Sequence, residues 1–216
     1  MRFRLVTILA LAFCIVGLSF WLGSPRAMAD DPQQDKPGAA DKYAYLGSKA
    51  CKKCHLKLYK SWEKTSSAKA FESLKPGQAV EAKKKHDLDP QKDYTKDESC
   101  LKCHVTGFGC KGGYAIPDPA DAKAVKRAET LKGSGCESCH GPGSAYIDVF
   151  KEIQKSKRMY KQEELYAVGL RKMEASACTH CHNDTSPTYD ASKKFDYARD
   201  KDRETHEHKP LKQREG

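Results

Sequence analysis

Four segments of this chain read C-x-x-C-H: Cys51-Lys52-Lys53-Cys54-His55, Cys100-Leu101-Lys102-Cys103-His104, Cys136-Glu137-Ser138-Cys139-His140 and Cys178-Thr179-His180-Cys181-His182. This is the attachment signature of a c-type haem. Two thiols two residues apart bond to the two vinyl groups of one haem, and the histidine that follows is placed to ligate the iron. After the third motif, Gly141-Pro142-Gly143 lets the backbone turn sharply against a bulky macrocycle.

Histidine is only 8 of 216 residues, yet it follows every C-x-x-C pair, which composition does not explain. Zinc ribbons place their pairs about 15–20 residues apart. Here the last His of one motif and the first Cys of the next are 45, 32 and 38 positions apart (100 − 55, 136 − 104, 178 − 140). Zinc also has no need of a His directly after each pair, and a redox C-x-x-C occurs once per domain. The sequence therefore implies four covalently bound haem c groups, attached through Cys51, Cys54, Cys100, Cys103, Cys136, Cys139, Cys178 and Cys181. Their irons are ligated by His55, His104, His140 and His182.

The N-terminus reads as a signal peptide over 1–29. Arg2 and Arg4 are followed by an apolar run from Leu5 to Leu22, and Ala27-Met28-Ala29 fits a cleavage site before Asp30. An uncleaved anchor is the alternative, weakened by Thr7, Gly17 and Ser19 within the run. Either way the body of the chain is expected outside the cytoplasm, in the periplasm. Residues 30–42 are rich in Pro, Gly, Gln and Asp and read as a flexible lead-in. Residues 43–208 form the haem-bearing domain, and 209–216 a charged tail. Of ten cysteines, eight lie in the motifs and Cys14 leaves with the signal. Cys110 remains, and reads as a small packing residue near the second motif.

The full chain carries +10. Removing Arg2, Arg4 and Arg26 with no acids leaves +7, and two propionates on each of four haems add about −8. Excess lysine thus has a partner in the propionates, and nucleic-acid binding is excluded as the reason for the basic charge.

Periodicity predicts a mainly α fold with little or no sheet. Helices are expected over Leu56–Leu74, closed by Pro76-Gly77, and over Gln78–His86, a Lys-rich amphipathic piece. Others are expected over Asp121–Leu131, Ala145–Met159 and Gln162–Ala177, with a loop over Gly107–Pro119. About 47 residues per haem (187 divided by four) leave little protein core, so the haems themselves form it. Trp62, Phe71, Tyr94, Phe108, Tyr114, Tyr146 and Phe150 are expected to pack there. The apoprotein is expected to be largely unfolded.

Stretches outside the motifs carry a resemblance. They include Ser61-Trp62-Glu63-Lys64-Thr65, Ala68 through Pro76 (AKAFESLKP), Leu88-Asp89-Pro90, Lys92-Asp93-Tyr94-Thr95, Gly107-Phe108-Gly109, Lys111-Gly112-Gly113-Tyr114, Gly135 through Gly143 and His206-Glu207-His208. On these the chain resembles the tetrahaem cytochrome c-554 family of ammonia-oxidising bacteria. The resemblance implies a periplasmic, mainly helical electron carrier with haems in closely stacked pairs. Family members take electrons from hydroxylamine oxidoreductase towards the quinone pool. It also implies that three haems have two His ligands, and that the haem on His104 is five-coordinate, a site to which nitric oxide reduction is attributed.

Beyond the four motif histidines the chain offers His86, His180, His206 and His208. His86 sits in a Lys-rich helix expected to be exposed. His180 lies inside the fourth motif and points away from its own iron. His206 and His208 are too close in sequence to serve two irons independently. Relatives carry a His soon after Trp62-x-x-Thr65, where this chain has Ser66-Ser67, and another before the fourth motif, near Met173. Distal candidates are therefore His206, His208, His86 and Met173, since Met is an accepted axial ligand.

The leading function is a periplasmic electron carrier, with hydroxylamine oxidoreductase or a similar multihaem enzyme as donor and a membrane quinone-linked cytochrome as acceptor. Lys52, Lys53, Lys57, Lys83, Lys84 and Lys85 are candidates to steer docking. The alternative is a nitric oxide or nitrogen-oxide reductase at an open haem on His104. A haem filament is a third class that no residue requires.

Overall fold

The computed structural model describes residues 42–203, 205–207, 214 and 215. The segment expected to be a signal peptide, nearly all of the expected lead-in, His208 and most of the expected tail lie outside the described residues. Ten short α-helices follow one another among the described residues: α1 Ser48–Lys52, α2 Leu56–Trp62, α3 Val80–Lys85, α4 Glu98–His104, α5 Ala122–Glu129, α6 Cys136–His140, α7 Tyr146–Ser156, α8 Gln162–Tyr166, α9 Ala175–Thr179 and α10 Tyr197–Asp200. Two 3-10 turns, Ala70–Leu74 and Ala191–Lys193, complete the set. No strand forms among the described residues, and only isolated bridges join Val105 to Lys132 and Tyr160 to Arg214. The expected mainly α class holds.

Two expected helices are broken, each for a local reason. The helix expected over Leu56–Leu74 stops at Trp62. There the Thr65 hydroxyl donates to the Trp62 carbonyl at 2.8 Å and accepts from Ala68 N at 3.3 Å. A side chain that bonds local backbone in this way competes with the helical ladder. The helix expected over Gln162–Ala177 splits into α8 and α9. Gly169 between them has φ +100°, outside the range of a right-handed helix. α3, α5 and α7 form within the expected limits, and α5 is capped by the Asp121 carboxylate, which accepts from Lys123 N and Ala124 N. The Gly107–Pro119 loop is helix-free as expected. Its curl requires glycine at Gly113, where a Cβ would stand 1.7 Å from the Gly107 carbonyl oxygen.

Two apolar clusters hold the described chain. The larger joins Tyr45, Phe71, Leu74, Tyr94, Leu101, Val105, Tyr114, Ala128 and Leu131, with Phe108 and Cys110 packed at its edge. The smaller joins Ile153, Tyr160 and Leu165 with Tyr146, Val149, Phe150 and Leu170 around them. Most of the aromatics expected near haem are thus also protein core. Trp62 is placed by its indole N–H, which donates to the Ser134 carbonyl at 3.0 Å. The strap preceding α1 is stitched down from several sides. Arg127 donates to the carbonyls of Tyr45 (2.6 Å), Leu46 (2.7 Å) and Gly112, and Tyr45 N donates to the Lys111 carbonyl.

Candidate functional site

In each C-x-x-C-H the three reactive residues fall at i, i+3 and i+4, which is one face of a single helical turn. The chain forms that turn at all four motifs. α4 and α6 contain the second and third motifs whole, while α1 and α9 hold the first Cys of the others. In those two, the turn is completed by His55 N donating to the Cys51 carbonyl at 2.9 Å and His182 N to the Cys178 carbonyl at 3.0 Å. Asp97 caps α4 by accepting from Ser99 N. After α6, Gly141 adopts φ +80° and a Cβ there would meet the Gly169 carbonyl at 2.7 Å, so the turn beside the third motif requires glycine.

The turns are brought together across long sequence distances. The Cys51 and Cys136 sulfurs are hydrogen-bonded, as are Cys103 and Cys181, and Cys139 lies close enough to Cys178 and Cys181 to feel their charge. Hydrogen bonding from its partner brings each accepting thiol, Cys136 and Cys103, down to about 7, while Cys51 and Cys181 are pushed up. Lowered thiols are the better nucleophiles for attachment, and thioethers no longer titrate. Motif one thus adjoins three, three adjoins four, and four adjoins two.

The motif histidines have defined neighbours. His104 holds its Nδ1 2.6 Å from the Ala70 carbonyl and 3.2 Å from Ser73 Oγ. A ring nitrogen donating to a carbonyl fixes the tautomer and leaves Nε2 to a metal. His140 faces His206, ring centroids 6.2 Å apart and planes at 27°. Phe150 lies 5.6 Å from His55, and Phe195 stacks on His182 at 4.8 Å and 18°. Burial, and then the charge of His206, lower the pKa of His55, so His206 reaches both the first and third motifs. It is held there because Glu207 N donates to Ser61 Oγ of α2 at 2.9 Å.

The other distal candidates differ in placement. His86 is half-buried in the wall of a cleft of about 300 Å³ that also contains Cys100, Cys103 and His104, with Ser186, Pro187 and Thr188 opposite. The expectation of an exposed surface histidine is corrected: His86, directly after α3, lines the cleft beside the second motif. Met173 is 44% exposed, and its carbonyl accepts from the Tyr197 hydroxyl at 2.6 Å. His180 is exposed at the end of α9, and the Ser67 carbonyl accepts from Ser134 N at 2.9 Å.

Comparison with known proteins identifies the family. Residues 50–141 match the family model described as cytochrome c554 and c-prime. The chain is 42% identical over 142 residues to cytochrome c-554 of Nitrosomonas europaea, spanning 64% of this chain and 57% of that relative. It superposes on the structure of reduced cytochrome c554 from the same organism with a TM-score of 0.68 and 36% identity, over 81% of this chain and 90% of the other. The chain belongs to the cytochrome c-554 family.

A cytochrome of this family holds haem c covalently, and the residues present fit that group. Attachment thiols and histidine share one face at every motif, and His104 has its Nδ1 occupied. His140 and His206, with ring centroids 6.2 Å apart, are the two imidazoles that would hold the group at the third motif. Among the described residues no three His, Cys, Asp or Glu side chains converge on a bare metal ion, and no helix is long and apolar enough to cross a membrane.

Sequence reasoning missed several residues that build this cytochrome's site. Glu137 is fully buried, and its carboxylate accepts from Leu46 N (2.9 Å), Gly47 N (2.6 Å) and Gly143 N (2.7 Å). Its only signal was an acid inside a haem motif. Arg171 donates to the Ser138 carbonyl at 2.9 Å, and its N–H to the His140 carbonyl, tying the chain before the fourth motif to the third. Lys83, expected as an exposed steering charge, is buried.

Proposed function

We propose that this chain is a periplasmic electron carrier with four haem c groups, one on each C-x-x-C-H motif. Haem c, when bound, supplies a one-electron couple at its iron whose potential follows axial ligation, burial and nearby charge. The protein's part is to hold the four sites in a fixed order. The packing of the motifs on one another carries this reading: Cys136 N donates to Ser48 Oγ of the first helix, Arg171 ahead of the fourth motif donates to the Ser138 and His140 carbonyls of the third, and the Cys103 and Cys181 thiols perturb each other. A relay needs such continuity, and its spatial order differs from sequence order.

In this reading His55, His104, His140 and His182 are the proximal ligands, His206 completes the third site, and Ala70 and Ser73 fix the His104 ring. The donor is a hydroxylamine oxidoreductase or a similar multihaem enzyme, and the acceptor a membrane cytochrome linked to quinone. Exposed Lys52, Lys53 and Lys57 beside the first motif supply positive charge for an acidic partner. Intact mass of the secreted protein tests the haem count: four haem additions are expected, and three or fewer contradict it. Rapid reduction by hydroxylamine oxidoreductase turning over its substrate tests the partner, and no reduction contradicts it.

A further inference from the structure

α3 turns one face to the cleft of the second motif. Ala82 and Lys83 of the helix line it, together with Ala79 and His86, the residues that flank the helix at either end. The two alanines leave room, and Lys83 and His86 give that room a polar, basic wall. Lys83 is unusual for a lysine in being only 5% exposed. Its ammonium donates to the Lys75 carbonyl at 2.7 Å and sits 5.3 Å from the centre of the Tyr94 ring. Among the described residues no carboxylate forms an ion pair with it. Asp93 lies near enough for Lys83 to be a minor cause of its lowered carboxyl pKa. A buried ammonium satisfied by a carbonyl and a ring is an incomplete arrangement, because a charge removed from water calls for an opposite charge. α3 is tied by Lys85, which pairs with Asp190 at 2.6 Å, to the chain that follows Ser186–Thr188 of the cleft wall. The basic wall is therefore fixed towards the second motif.

We infer that Lys83 and His86 form a carboxylate-binding wall that receives the propionates of the haem held by Cys100, Cys103 and His104. The inference rests on the second motif carrying haem. It also explains why a lysine from a Lys-rich helix is turned inward while its neighbours Lys84 and Lys85 stay exposed. Positive charge beside an iron favours the reduced state, so the wall raises the potential of this haem and fixes the cofactor's orientation.

The test is haem-resolved potentiometry on the full-length, haem-loaded protein with Lys83→Met, Lys83→Arg and His86→Gln, after intact mass has verified loading. Lys83→Met is expected to shift the one-electron equilibrium of one haem about tenfold towards ferric iron, which is about 59 mV. Lys83→Arg is expected to retain most of the wild-type value, and His86→Gln to shift it less, in the same direction, with the high-spin and low-spin count unchanged. If Lys83→Met fails to fold, His86→Gln alone still decides. Full loading with no shifted haem overturns the inference, as does a low-spin haem turning high-spin in His86→Gln, which would make His86 an iron ligand. A wild-type protein without haem at Cys100 and Cys103 overturns both the inference and the reading beneath it.

Discussion

Glu137 Oε2 accepts a hydrogen bond from Gly47 N at 2.6 Å, across 90 residues of sequence. Glu137 lies inside the third haem motif, and Gly47 directly precedes the helix that starts the first. With Leu46 N and Gly143 N also on the same carboxylate, one buried side chain sets the first motif against the third.

Glu137→Ala leaves three backbone donors short of an acceptor, two of them in buried bonds, and is expected to cost at least ~3 kcal/mol. Denaturant unfolding followed by far-UV circular dichroism measures this, and a loss below about 1 kcal/mol would be inconsistent with the tie.

The same carboxyl gives a pH signature. Burial pushes its pKa above the ordinary 4.5, against the opposing pull of its backbone donors. The folded state therefore holds a proton where the unfolded state does not. This group's contribution is fully present below pH 4.5 and declines as pH rises through the folded value. Glu137→Gln is expected to flatten this part of the stability profile, and unfolding midpoints between pH 4 and 7 show whether it does.

Gly141 pairs a left-handed backbone with a Cβ position 2.7 Å from the Gly169 carbonyl. Gly141→Ala is expected to cost ~1–3 kcal/mol from strain and displacement together. Thermal unfolding of the variant at pH 7 checks this, and an unchanged midpoint would show that the turn is not constrained.

Docking by the exposed lysines near the first motif is expected to be salt-sensitive, because charges separated by more than about 10 Å are screened at 0.1 M ionic strength. Stopped-flow reduction by hydroxylamine oxidoreductase is expected to slow severalfold as salt rises. Lys83→Met is expected not to alter this salt dependence, since that ammonium is buried. Equal rates at low and high salt would sink the steering role.

The helical class and the aromatic residues of the clusters were legible because they depend on local spacing. Two helix limits were not, because Thr65 and Gly169 act through a hydroxyl bond and a left-handed torsion that apolar periodicity does not encode. The order of the motifs in space was illegible too, since it arises from contacts such as Cys51 with Cys136 and Cys103 with Cys181. Lys83 and His86 show the same limit. Composition marked this stretch as a charged surface, but Ala79, Ala82, Lys83 and His86 all line the cleft.

The most direct test of the relay is electron paramagnetic resonance of the fully ferric protein, wild type against His206→Ala, with spins integrated per four haems. The account expects one low-spin haem to become high-spin in the variant, because the His206 ring centroid lies 6.2 Å from that of His140 and His206 is proposed as the second imidazole of the third site. An identical low-spin integral in the two proteins would contradict it, and with it the arrangement proposed for the site that joins the first motif to the fourth.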